Sequence, residues 1–146
     1  MAEEYDFEKL AREIVTSRLP GVKDPAHAAA EVARKMLVTA VKGTAQRQAP
    51  RLTVLAVCRG VMDGMLILNQ GLADPAIRIL QMVPDVANEA ALDPGELMTW
   101  AMEGIAAVAA TAGAQAQQEI QAKIDESFMG AGEVFSSLCQ QAQKKP

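Results

Sequence analysis

Three times along this chain an aspartate is followed directly by a proline, at Asp24-Pro25, Asp74-Pro75 and Asp93-Pro94. An aspartate at the N-cap accepts the orphan N–H groups of a first helical turn, and proline at the first helical position gives up no hydrogen bond that the helix needs. Each step therefore predicts a helix start. The third adds Glu96 three residues after Asp93, an aspartate version of the capping box. With starts fixed near 25, 75 and 94, most of the chain between them is assigned to helix.

The side chains agree. Half of the residues are hydrophobic but 3% are aromatic, so the apolar content is Ala, Val, Leu, Ile and Met. Alanine and unbranched side chains lose little freedom in a helix, whereas strands favour β-branched and aromatic residues in alternation. No convincing alternating run occurs.

Apolar spacing of three and four outlines the elements. Phe7, Leu10, Ala11, Ile14 and Val15 predict a first helix over 6–18, stopped by Pro20-Gly21. A second, over 25–43, carries Ala29, Val32, Ala33, Met36, Leu37, Ala40 and Val41, and the polar link GTAQRQAP follows. The third, over 51–70, is apolar around much of its circumference through Val54, Leu55, Cys58, Val61, Met62, Met65, Leu66 and Leu68, which predicts a central position. Gly60 and Gly64 lie one turn apart within it. Each costs up to ~1 kcal/mol relative to alanine, and close approach of another backbone is the expected reason.

A fourth helix over 75–91 contains Pro84, which should kink or break it. A fifth starts at Pro94. Its spacing is interrupted at Gly113 and resumes at Ile120, Ile124 and Phe128, so the expectation is one long helix of about 50 Å. Gly130 and Gly132 then bend or break the chain before a short terminal helix with Val134, Phe135 and Leu138. The expected fold is all-α: an irregular bundle of five to six helices with a long C-terminal helix. Residues 1–113 form the core bundle. Residues 114–146 form an amphipathic extension, either part of the same domain or a dimerisation arm.

The net charge of −4 argues against a general nucleic-acid binder. Charge is unevenly spread, however. Residues 1–72 carry ten Lys/Arg and eight Asp/Glu, and residues 73–146 carry four and ten. Between Val32 and Met62 every charge is positive: Arg34, Lys35, Lys42, Arg47, Arg51 and Arg59 stand without an acidic residue among them. This stretch is expected to face the acidic half, in the same chain or in a partner; an anionic surface is the alternative. The N-terminal MAEEYDFEKL lacks the apolar core of a signal peptide, and no stretch offers the roughly 20 uncharged apolar residues of a membrane span. Cys58 and Cys139, 81 positions apart, read as reduced thiols in a cytoplasmic protein.

Chemical motifs are sparse. His27 is the single histidine, which excludes a two-histidine metal motif, and no metal or cofactor is expected. Its place in a first helical turn predicts a surface position. The glycine-rich nucleotide loops and the GxSxG elbow do not occur. One polar constellation stands out. Arg59 and Asp63 are one turn apart on the most apolar helix, and Glu103 interrupts the apolar half of the fifth. They are expected either as an Arg59–Asp63 pair on an exposed stripe or as a buried network with Glu103 that fixes helix register or lines a small polar cavity. A proton-transfer role is a third use of the same residues. The methionines, including Met36, Met62, Met65, Met82, Met98 and Met102, fill the core or line an apolar groove for a partner helix or a lipid-like ligand.

Residues 112–128, AGAQAQQEIQAKIDESF, carry a thin apolar seam of near-heptad spacing. Ile120, Ile124, Phe128, Phe135 and Leu138 are the candidate association residues, and a homodimer formed through them is the expected assembly. In composition this part is similar to phasins, the helical proteins that coat bacterial polyester granules. That similarity rests on Ala/Gln-rich amphipathic helices and implies association with an apolar surface. The sequence thus supports three functions in order: protein–protein association without enzymatic activity, binding to granules or membranes, and small-molecule binding or catalysis near Arg59, Asp63 and Glu103.

Overall fold

In the computed structural model, which describes residues 6–44 and 49–144, every regular element among the described residues is helical. There are eight: α1 Phe7–Arg18, α2 Pro25–Thr44, α3 Pro50–Ile67, α4 Ala73–Gln81, α5 Val83–Ala90, α6 Pro94–Ala112, α7 Ala114–Ser127 and α8 Ala131–Lys144. The all-α class is as expected. The count is higher than five to six because two expected helices are each divided.

The first division is at Pro84. Helix α4 ends at Gln81, Met82 bridges with φ −88° and ψ −4°, and α5 begins with Pro84 in its first turn. The second is at Gly113, whose φ of 118° and ψ of 173° suit glycine and end α6. The single long helix over 94–128 is therefore a pair, α6 and α7, and α7 packs back against α4, α6 and α8. The C-terminal helix α8 is correspondingly longer than the short one expected. Gly132 lies inside it, and Gly130, with φ 88°, makes the turn.

Two of the three Asp-Pro steps act as expected. Asp24 accepts the His27 N–H at 3.2 Å, and Asp93 accepts the Glu96 N–H at 2.9 Å. Asp6 caps α1 in the same way through the Lys9 N–H at 3.0 Å. At the remaining step, Asp74-Pro75, the helix starts earlier. Leu72 is the N-cap, so Asp74 sits within the first turn, where its charge faces the positive helix end without capping it.

One apolar cluster runs through the bundle and takes residues from all eight helices. Its middle is α3, which packs on α1, α2, α4 and α6. Val54, Val57, Cys58, Val61 and Met62 are fully buried there. Helix α6 shares the central position and packs on α3, α4, α5, α7 and α8. Ile120, Ile124, Phe135 and Cys139 belong to the same cluster, so residues beyond 114 contribute to the core. No helix of the described residues is long and apolar enough to cross a membrane.

Candidate functional site

Helix α3 is gripped on two sides at its glycines. A Cβ added at Gly60 would overlap the Glu8 carbonyl oxygen and lie 2.8 Å from the Ala11 Cβ of α1. One added at Gly64 would lie 2.7 Å from a methyl of Val15. Rising residue numbers on α1 thus meet rising numbers on α3, and the two helices run in the same direction. The expected backbone approach at Gly60 and Gly64 is present, and α1 is the helix that approaches. A third glycine, Gly104 of α6, does the same on another side of α3: its Cβ would stand 2.7 Å from the Leu55 carbonyl oxygen and 2.9 Å from the Cys58 Cβ. Sequence reading missed Gly104. Its signal was present, a glycine inside an alanine-rich helix at a cost of ~1 kcal/mol.

These close contacts decide what happens to the polar trio. With α1 so near, Arg59 and Asp63 reach across to it instead of pairing along α3. Arg59 meets Glu8 at 3.6 Å, and Asp63 accepts from Arg12 at 3.3 Å. Charges of alternating sign one turn apart on each helix match in register. Glu103 pairs with a different residue again: Arg51 donates to its two oxygens at 2.6 and 3.0 Å. Hydrogen bonding to Glu103 raises the Arg51 pKa further above its ordinary value. Neither expected arrangement is found: no Arg59–Asp63 pair forms, and the structure does not bring Arg59, Asp63 and Glu103 together. The Arg51 side chain is 52% exposed, so that bidentate pair contributes ~0.2–1 kcal/mol at most.

The basic stretch resolves in the same way. Arg34 pairs with Glu89 of α5 at 2.7 Å, and Arg51 with Glu103 of α6, so two of its cations face the acidic half of the chain as expected. Arg59 turns to Glu8 in the N-terminal half. Lys42 and Arg47 lie outside the residues whose side chains are described. His27 is exposed, as its position implied. Cys58 is fully buried, and burial pushes its thiol up to about 12; Cys139, in α8, is pushed up to about 11 by the same cause. Both are free thiols held well away from nucleophilic thiolate chemistry.

The expected association seam has a different fate. Ile120, Ile124 and Phe135 are fully buried within this chain, and Phe128 and Leu138 are half-buried against the same core. Their apolar surface is spent on α4, α6 and the α7–α8 contact, so they do not form an open seam. Fold-back at Gly113 is the physical reason.

Three surface concavities stand out among the described residues. Between α1 and α2 lies an apolar groove of about 260 Å³, floored by Phe7, Leu10, Met36 and Ala40 and edged by Lys35 and Thr39. At the starts of α2 and α4 a cleft of about 340 Å³ is lined by Asp24, Asp74, Glu119, Gln70 and Met65. A shallow depression of about 510 Å³ follows the α5–α6 turn along Pro84, Asn88, Leu92 and Pro94. Two of the acids in the second cleft already face cations, Asp24 with Arg78 at 3.7 Å and Asp74 with Lys123 at 3.9 Å. No cluster of three His, Cys, Asp or Glu side chains suited to a metal occurs among the described residues. Of the candidate residues, Arg59, Asp63 and Glu103 line none of these three concavities. Comparison of the chain with protein-family models, with curated proteins and with solved structures returns no match.

Proposed function

We propose that this protein acts by protein–protein association, and that a second copy of itself is its first partner. The observation that carries the reading is the α1–α2 groove. Phe7 and Ala40 are core residues that also floor this groove, while Leu10 is 39% exposed beside them. The exposed Leu10 and the half-buried Met36 are the apolar side chains in this concavity that a partner would remove from water. Met36 lends the floor the adaptability that unbranched thioethers give to binding surfaces. Enzymatic use of Arg59, Asp63 and Glu103 has less support, since each is tied to a separate ion partner. A phasin-like use of the Ala/Gln-rich segment has less support too, because its large apolar residues face inward. The two buried free thiols favour a reducing, cytoplasmic setting.

Sedimentation velocity across a wide concentration range tests the proposal. Wild-type chain is expected to dimerise with rising concentration. Leu10→Lys combined with Met36→Lys is expected to remain monomeric with unchanged helical circular dichroism. A wild-type chain that stays monomeric throughout overturns self-association. An unchanged dimer in the double variant removes the groove from the reading.

A further inference from the structure

The helix pair α7–α8 is attached to the rest of the fold by a single non-helical residue, Gly113. This joint has three properties. Its φ of 118° and ψ of 173° belong to a region that only glycine occupies readily. None of the described residues lies within 4 Å of where its Cβ would stand, so none of them braces the bend from that side. Its flanks, Ala109, Ala110, Ala112, Ala114 and Ala116, are the strongest helix formers. Helix α7 also begins without a side-chain cap. A helix start leaves its first N–H groups without intrahelical partners. Straightening at Gly113 would give the N–H groups of residues 114–116 the carbonyls of residues 110–112.

The moving part is held by packing. Ile120, Ile124, Phe135 and Cys139 bury their side chains in the common core, and α7 packs on α8, so the two helices travel together. Among the described residues, the ion pair that ties them to the remainder is Lys123–Asp74 at 3.9 Å, with both side chains at least half exposed. Apolar burial of this kind is satisfied equally well by an identical surface on another molecule.

We propose that Gly113 is an exchange joint: α6 and α7 straighten into one helix, and two copies of this chain swap their α7–α8 pairs. Each pair then covers α4 and α6 of the other copy. The packing of α7–α8 on α4 and α6 is re-formed between the two chains, the bend is relieved, and the helical hydrogen bonds across 113 are added. This assembly does not use the α1–α2 groove, so it stands or falls separately from association there.

Gly113→Ala tests it. Alanine is strained in the bent joint and favoured in a continuous helix, so the dimer association constant should rise on the order of tenfold or more. Spin labels at Glu96→Cys and Glu126→Cys, on chains diluted with unlabelled protein, report the intrachain separation. The native thiols are buried and stay unlabelled in the folded chain. The dimer should show a separation of roughly 45 Å, the length of a continuous helix over those thirty steps at ~1.5 Å per residue. The monomer should show a shorter, folded-back one. A Gly113→Ala chain that folds but dimerises no more than wild type overturns the proposal. So does a dimer whose labels keep the short separation, which would instead point to the groove. If Gly113→Ala does not fold, wild-type chain refolded from urea at rising concentration carries the same test: a dimer with the long separation supports exchange, and monomer at every concentration overturns it.

Discussion

Replacing Gly60 by alanine adds one methyl group at the point where α1 lies closest to α3. On a free helix the change would stabilise by ~1 kcal/mol. Here the methyl overlaps the Glu8 carbonyl oxygen and comes within 2.8 Å of Ala11. A backbone carbonyl has no alternative rotamer, so α1 itself must move outward. Overpacking of this kind costs ~1–3 kcal/mol. The same shift loosens Ala11 and Val15, both fully buried, and lengthens the Glu8–Arg59 and Arg12–Asp63 pairs. After the propensity gain is set against these losses, a net loss of ~1–2 kcal/mol is expected. For a chain of this size that corresponds to a melting temperature lower by roughly 2–8 °C. Urea unfolding followed by the fluorescence of Trp100, the single tryptophan, measures it. With an m-value of ~2 kcal/mol/M the midpoint should fall by about 0.5–1 M. Gly71→Ala, where a Cβ meets nothing within 4 Å, is the matched control and should stay within ~0.5 kcal/mol. A Gly60→Ala midpoint equal to or above wild type would show that the α1–α3 contact is not closed, and the reasoning would fail.

Two further predictions concern residues whose sequence contexts look alike or inert. Asp93→Ala removes a cap hydrogen bond of 2.9 Å and should cost ~1 kcal/mol, whereas Asp74→Ala, which caps nothing, should cost clearly less; equal losses in urea midpoint would contradict the assigned helix starts. The Cys58 thiol is raised from about 9 to about 12 in the folded chain, so its linked stability is fully present below about pH 9 and is lost as pH rises towards 12, because only the unfolded chain ionises readily there. A Cys58→Ala chain should flatten that alkaline loss, and a profile identical to wild type would count against the assignment.

The sequence was most informative where one residue type admits one local solution. Asp93 before Pro94 marked a helix start, Pro84 marked a break, and Gly60 with Gly64 marked a close approach; all three are in the structure. It was least informative where the outcome depends on which helix arrives next to which. Asp74-Pro75 has the same local chemistry as the other two steps, yet α4 begins at Ala73. Arg59 and Asp63 are spaced to pair with each other, but the glycines beside them admit α1, and its own Glu8 and Arg12 take both partners. Gly113 was visible as an interruption, although nothing in the apolar spacing told a bend from a weak point in a straight helix. The seam over Ile120, Ile124 and Phe135 was correctly apolar on one face, but a buried face and an interface face share the same pattern.

The partnership of α1 with α3 also sets an order of events. The residues that meet, Arg12 and Asp63, are 51 positions apart. A chain growing from its N-terminus therefore completes α1 long before the helix that holds it exists. Until Gly60 and Gly64 have been made, Phe7, Ala11 and Val15 have no glycine groove to enter. Among the described residues α1 packs on α3 and α2, whereas α3 and α6 are each enclosed by four or more helices. The amide protons of α1 should exchange with solvent before those of α3 and α6, through an opening that leaves the centre of the core intact.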